Sequence, residues 1–196
     1  ILKSLRAGDI VTHCFQGRGD GILENGSLIP EAEAAKAGGI VFDVGHGCGS
    51  FHWDTAKSAF EHFFYPDTIS TDLHRLSVDR FCISMPTTMS KFLHLGMSLE
   101  DVILKTTWTP ARVLGRDSEI GTLRPGAHAD LFAFSLEEGE FPLEDTHMKT
   151  VSARRRIKPE LVMKAGSWIE QSSCPETLRP LHDSDREILD ALGDTA

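Results

Sequence analysis

Three residues stand where a folded chain can place chemistry. His13 follows the run D-I-V-T, His46 follows V-F-D-V-G, and Asp72 follows D-T-I-S-T. Each run is short, apolar and rich in β-branched residues, as buried strands are, and each residue lies at its C-terminal end. In a barrel of parallel strands that end is where side chains leave the packed interior and meet the loops, so the three would surround one mouth. An imidazole and a carboxylate placed there can bind a divalent metal, which lowers the pKa of a bound water towards ~7 and gives a nucleophile at neutral pH. A carboxylate beside that water can take its proton and pass it to a leaving group. Each residue also has a plain structural reading. His13 can be a hydrogen-bonded core histidine, Asp72 the cap of a following helix, and His46 a turn residue whose two flanking glycines let something approach the backbone closely. Spacing alone leaves both readings open.

The elements that must position these residues follow from local pattern. Strands are expected over 9–14, 40–44 and 68–71. Between them, 30–36 has a proline at a helix start and closes at Gly38-Gly39, and 54–64 places Ala56, Ala59, Phe60 and Phe63 at helical spacing. Strand, helix, strand, helix, strand implies parallel strands joined by right-handed crossovers, as in a doubly wound sheet or a β/α barrel. After Asp72 the pattern is helical: 87–95 ends at Gly96, Ser98 caps 99–105, and Thr109 with Pro110 opens a turn closed by Gly115. From Ile120 turn residues feed an apolar strand, and 161–168 reads as another strand and turn, a small β appendage. The stretch from Glu170 is polar, with a weakly amphipathic segment over 185–192. The loop G-R-G-D-G-I-L-E-N-G at 17–26 lacks the G-x-G-x-x-G order of a phosphate cradle and reads as a mobile loop near the mouth.

Composition narrows the function class. The 196 residues are 40% hydrophobic and 25% charged, an ordinary globular balance. A net charge of -9 opposes a phosphate backbone, and the longest basic run, Arg154-Arg155-Arg156, is too short to reverse that, so small-molecule chemistry is expected and nucleic-acid binding is not. No apolar stretch approaches the ~20 residues that cross a bilayer, and the N-terminal residues lack a signal peptide's layout, so the expectation is a cytoplasmic protein without a membrane partner. Cys14, Cys48, Cys82 and Cys174 form no C-x-x-C pair and are expected to be reduced packing residues.

In chain order, D-I-V-T-H-C-F-Q-G, V-F-D-V-G-H-G, P-D-T-I-S-T-D-L-H, P-T-T-M-S-K-F-L-H-L-G-M-S-L-E-D-V-I, T-P-A-R-V-L-G and I-G-T-L-R-P-G-A-H-A-D-L resemble the dihydroorotase-like amidohydrolases of deacetylase or aminoacylase type. The resemblance runs from about Leu5 to Gly166. It implies an α/β fold: a partial TIM (β/α)8 barrel, its last three strands, six to eight, followed by helices and a small β-sandwich appendage. On that basis 1–118 is the C-terminal part of the barrel, 119–169 the sandwich segment and 170–196 a polar tail. His13 then matches the strand-six histidine that binds the second metal, and Asp72 the strand-eight aspartate that binds the first metal and shuttles the proton. His46 and His74 match histidines near the substrate mouth, and Lys91 and Thr88 fall to helix and loop structure.

The activity so implied is metal-dependent hydrolysis of an amide or ester bond in a small acylated substrate such as an N-acyl amino acid. The cofactor would be a divalent metal, with zinc the usual occupant and two ions in the complete family site. Dihydroorotase-type ring opening and deamination are the neighbouring alternatives. The family's H-x-H pair, carboxylated lysine and strand-five histidine precede the strand-six residue, so they would fall upstream of residue 1. The polypeptide is therefore expected to be a fragment, inactive alone, with apolar strand faces that favour a homo-oligomer; a non-catalytic remnant is the rival reading.

Overall fold

The computed structural model describes residues 1–18, 21–78 and 80–169. Strand β1 (Ile10–Val11) is followed by a hairpin of β2 (Leu23–Glu24) and β3 (Ser27–Leu28), helix α1 (Pro30–Ala37), strand β4 (Val41–Phe42) and helix α2 (Trp53–Glu61). β1 and β4 are parallel, with Ile10 opposite Val41 and Val11 opposite Phe42, and Asp43 forms a further parallel bridge to Thr68. The expected three parallel segments are therefore side by side, with β4 in the middle. Their regular ladder is shorter than the apolar runs suggested. Beyond it the chains stay in register through single bonds, from Val44 N to Thr68 O (3.2 Å), His46 N to Ser70 O (3.2 Å) and Gly47 N to Thr71 O (2.9 Å).

Local chemistry explains most of the boundaries. Pro30 sits in the first turn of α1, where its missing N–H costs nothing, and Ala32 and Ala35 form the buried face. The second half of the 17–26 segment is ordered into the β2–β3 hairpin, where a mobile loop was expected. Asn25 (φ 51°) and Gly26 (φ 79°) take the left-handed conformations that a tight two-residue hairpin turn requires, and the Asn-Gly pair was the available signal.

Three helices follow Asp72: α3 (Met85–His94), α4 (Leu99–Thr106) and α5 (Trp108–Val113). Ser84 and Ser98 cap α3 and α4, their hydroxyls accepting from Thr87 N and Asp101 N. α3 begins before the expected residue 87, because Ser84 caps it and Pro86 fits its first turn. The Thr109-Pro110 segment is helical as well as turned.

Strands β5 (Leu131–Glu144), β6 (Thr150–Lys164) and β7 (Ser167–Ile169) form one antiparallel sheet, much longer than the two short strands read from sequence. It is a single layer among the described residues, where the resemblance implied a sandwich. Its charge-rich middle, which hid the strands, is held by cross-strand pairs such as Glu137 with Arg156 (2.8 Å). The residues from 170 onward, including Cys174 and the 185–192 segment, lie outside the described residues.

The core gathers under the strand ends. Phe15, Phe42, Phe51 and Phe92 are fully buried, and the Phe51 ring lies 6.4 Å from Phe15 and 5.8 Å from Phe92. Burying each such side chain contributes roughly 1.5–3 kcal/mol, so this aromatic group is the main apolar support beneath the candidate site. No helix among the described residues is long and apolar enough to cross a membrane.

Candidate active site at the strand ends

Asp43, the one acidic residue inside the V-F-D-V-G run, joins all three parallel segments. Its Oδ2 accepts from Thr12 Oγ1 (2.8 Å) and Ser70 Oγ (2.6 Å), and its Oδ1 accepts from Thr68 Oγ1 (2.6 Å). A charged group within an apolar strand needs such partners, and that need was the sequence signal by which Asp43 could have been found. The carboxylate thus fixes the relative heights of the residues that precede His13, His46 and Asp72.

His13 and Asp72 flank one turn, Gly45-His46-Gly47. The His13 Nδ1–H donates to the Gly45 carbonyl (2.7 Å). Because a carbonyl only accepts, this bond places the proton on Nδ1 and leaves Nε2 with its lone pair free in the neutral ring, the arrangement of a metal-binding histidine. His13 takes φ 64°, a conformation unusual for a residue with a Cβ. A Cβ at Gly45 would lie 2.6 Å from His13 Nδ1 and would also strike Thr12 Oγ1. On the other side, a Cβ at Gly47 would lie 2.8 Å from Asp72 Oδ2. Both glycines adopt φ 50°. The two glycines are therefore required twice, by backbone conformation and by the nearness of the imidazole and the carboxylate.

Asp72 is exposed and also has positive φ, 45°. No helix begins on it; the next begins at Met85 with Ser84 as its cap, which removes the capping alternative. Among the described residues its carboxylate has no hydrogen-bond or salt-bridge partner, so both oxygens are open to a ligand. His74, two residues on, is exposed, and its Nδ1 accepts from Leu76 N (3.3 Å), which leaves Nε2–H outward. Ser77 braces this return, accepting from His74 N (3.0 Å).

His46 differs from the other three. It is fully buried, stacked on Phe51 (centroids 4.7 Å, planes 12° apart), and both ring nitrogens are engaged. Nδ1–H donates to the Gly47 carbonyl (2.9 Å), and Nε2 accepts from Lys91 Nζ (2.7 Å). Burial, reinforced by the Lys91 charge, holds its pKa well below the usual histidine value, so the ring is neutral. An enclosed ring with both nitrogens occupied has none to offer a substrate. Lys91, assigned from sequence to helix structure, is also fully buried, and its Nζ donates in addition to the Phe81 carbonyl (2.6 Å) and the Glu144 carbonyl (2.6 Å). Desolvation lowers its pKa to about 7. The sequence signal was a lysine inside the otherwise buried T-M-S-K-F-L face. Thr88 packs beside it, donating to Ser84 O (3.2 Å) and sharing a hydrogen bond with Cys82 Sγ.

The donor set fits part of a metal centre. An imidazole with a directed Nε2 and an open carboxylate, both against one turn, are the ligand types a divalent ion takes. Among the described residues no group of three or more His, Cys, Asp or Glu side chains is arranged to hold an ion. Cys14, Cys48 and Cys82 are free and buried, with pKa values raised chiefly by desolvation, which suits packing and not ligation.

This chain is similar to proteins of several names. A deacetylase of Brucella anthropi is 37% identical over 173 residues, covering 88% of this chain and 43% of the deacetylase. A solved structure described as an adenine deaminase superimposes with a TM-score of 0.82 at 32% identity, covering 87% of this chain and 47% of that one. Another, described as a dihydroorotase, gives 0.78 at 35% identity, covering 87% and 45%. The chain thus spans less than half the length of the curated relatives it matches. The pattern of the amidohydrolase family matches residues 30–169, which hold β4, α2, the Gly45–Gly47 turn, Asp72 and the long hairpin, and the chain belongs to that family.

Proposed function

We propose that this chain forms part of a metal-dependent hydrolase that cleaves an amide or ester bond, deacylating a small N-acylated acid. The observation that carries the reading is the placement of the His13 ring and the Asp72 carboxylate against opposite glycines of one turn, at the ends of strand segments separated by β4. His13 would hold a divalent ion, zinc by the habit of the superfamily, through Nε2, and Asp72 through its carboxylate. When bound, such an ion supplies a water of lowered pKa.

The chain's own groups do the rest. The bond from His13 Nδ1 to the Gly45 carbonyl fixes the tautomer and aims Nε2. Asp72, open on both oxygens, accepts a proton from the attacking water and returns it to the departing nitrogen or oxygen. His74 lies outward on the return that follows and is proposed as a substrate contact through Nε2–H. His46 acts on the turn and not on the substrate. The remaining ligands would come from sequence beyond this chain or from a partner copy.

The relative named a deacetylase favours this substrate class, and the resemblance to structures described as an adenine deaminase and a dihydroorotase keeps cyclic amides as the second reading. The test is the open reading frame that encodes this chain, expressed whole, with metal content measured and N-acetyl amino acids, a cyclic imide and adenine offered in parallel. Bound divalent metal with deacetylation is expected. A protein without bound divalent metal, or one that turns over none of these substrates when metal-loaded, would remove the proposal.

A further inference from the structure

Asp72 has no described side-chain partner to hold it, takes a backbone conformation that residues with a Cβ rarely adopt, and still has to present its carboxylate at a fixed place. Something must fix its backbone. Gly47 N donates to Thr71 O and His46 N to Ser70 O, so the two residues before Asp72 hang from the turn. The turn in turn depends on the His46 ring, whose Nδ1–H ties to Gly47 O and whose Nε2 accepts from Lys91. On the far side of Asp72, Phe81 (φ 60°) and Ile83 (φ 58°) close the return in the same rarely used region. The Phe81 carbonyl is bonded to the same Lys91 ammonium, and Cys82 Sγ donates to Thr71 O (3.2 Å). The third Lys91 bond reaches the Glu144 carbonyl at the inner end of β5, and Arg80 grips the Glu144 carboxylate from the return itself (2.6 and 2.7 Å).

We propose that Lys91 is a positioning residue for Asp72: by holding the His46 ring, the Phe81 carbonyl and the Glu144 carbonyl with its three N–H groups, it locks the Gly45–Gly47 turn and the Phe81 end of the following return on either side of the carboxylate. An ammonium has three donors, and the three acceptors saturate them, so the buried charge is fully hydrogen-bonded and geometrically unique. The three acceptors lie on three separate segments, the turn, the return and the inner end of β5, so one side chain ties all three together. The inference rests on the hydrolase reading for what Asp72 does, but the clamp itself can be read without activity.

The experiment uses the complete open reading frame with its metal, comparing Lys91→Met, His46→Gln and Val102→Ala, the last a core truncation in α4 that removes no hydrogen bond to the turn or the return. Lys91→Met keeps the stem and removes all three bonds. It should lower kcat by about 100-fold with KM within about 3-fold, the signature of a displaced reacting group. Amide hydrogen exchange over 70–74 should rise in Lys91→Met, while Val102→Ala loses melting temperature but keeps kcat and the parent exchange rate over 70–74. A Lys91→Met protein with parent kcat, or with parent exchange over 70–74, would overturn the proposal, as would an equal kcat loss in Val102→Ala. Should Lys91→Met fail to fold, His46→Gln decides: a kcat loss of about 10-fold or more at unchanged KM supports the clamp, and parent kcat refutes it. If the parent itself has no hydrolase activity the functional reading falls, and the exchange comparison still judges the clamp.

Discussion

At its inner end the β5–β6 hairpin buries Leu143, Ala153 and Ile157 and plugs polar groups into the barrel portion; at its outer end Phe132, Leu161 and Trp168 stand exposed. The inner fastening is dense. Glu144 receives Arg80 and Lys91, Asp145 receives the Trp53 N–H at the start of α2, and Ile157 N donates to Ser90 Oγ (2.9 Å) on α3. The outer half is held by its backbone ladder and by surface pairs such as Lys164 with Asp130. Surface pairs of this kind contribute about 0–1 kcal/mol each. The lesson is that the strand-end site is built on the end of the sheet where buried polar groups each find a partner, and the other end places no constraint on it.

Breaking the inner fastening should have the largest consequence. The buried Asp145 carboxylate accepts from Trp53 N (3.0 Å), His147 N (2.9 Å) and Lys149 N (2.9 Å). Asp145→Ala leaves three backbone donors without their acceptor and should lower stability by about 3 kcal/mol, read by urea unfolding. A loss below about 1 kcal/mol would mean that water replaces the carboxylate and that the inner end is less fixed than described.

Next comes the turn. Gly47→Ala adds a methyl group 2.8 Å from Asp72 Oδ2 at a residue with φ 50°. The backbone term alone costs roughly 1–2 kcal/mol, and turnover should fall further than stability does, because the carboxylate is the group that must move. Thermal melting together with single-substrate kinetics would separate the two, and a variant with parent turnover would show that Asp72 is not set against this turn.

A pH series sharpens the contrast without mutating the site. The buried His46 has its pKa depressed, first by desolvation and then by the Lys91 charge. As pH falls below the ordinary histidine value near 6.5, the unfolded chain binds a proton that the folded ring refuses. This contribution is therefore fully present above that pH and is lost progressively as pH falls below it towards the depressed folded-state value. His94 and His147 are shifted the same way by burial, so the measurement is a difference. The acid limb of stability should be shallower in His46→Gln than in the parent, and parallel limbs would place the ring in water. The smallest effect belongs to the outer end: Trp168→Ser, at a residue 64% exposed, should change stability by no more than about 0.5 kcal/mol.

The sequence showed the strand ends more clearly than their supports. Apolar β-branched runs ending in His13, His46 and Asp72 marked three parallel segments, because strand ends and turn residues are local signals. Ser98 and the proline of α1 likewise marked helix starts, whereas the Ser84 cap that begins α3 at Met85 went unread. What it hid were partnerships between distant segments. Asp43 reaches Thr12, Thr68 and Ser70, and Lys91 reaches His46, Phe81 and Glu144, through bonds that no window of neighbouring residues contains. His46 was placed at the mouth by its strand end and by the family resemblance; its flanking glycines signalled a close approach, and the approaching groups are His13 and Asp72. The β5 and β6 strands were obscured for a different reason. Their middle stretches, E-E-G-E in β5 and R-R-R-I-K in β6, are charge-rich, so the alternation that marks a half-buried strand is broken there.

The account stands on His13 and Asp72 serving one centre. The direct test is a double-mutant cycle in the complete metal-loaded protein, with kcat/KM measured for His13→Ala, Asp72→Ala and the pair. Residues that act as a unit are strongly non-additive, so each single change should cost about 1000-fold or more and the pair no more than about 10-fold beyond the worse single. Losses that multiply in full would mean that the imidazole and the carboxylate work independently, and the shared centre would be contradicted.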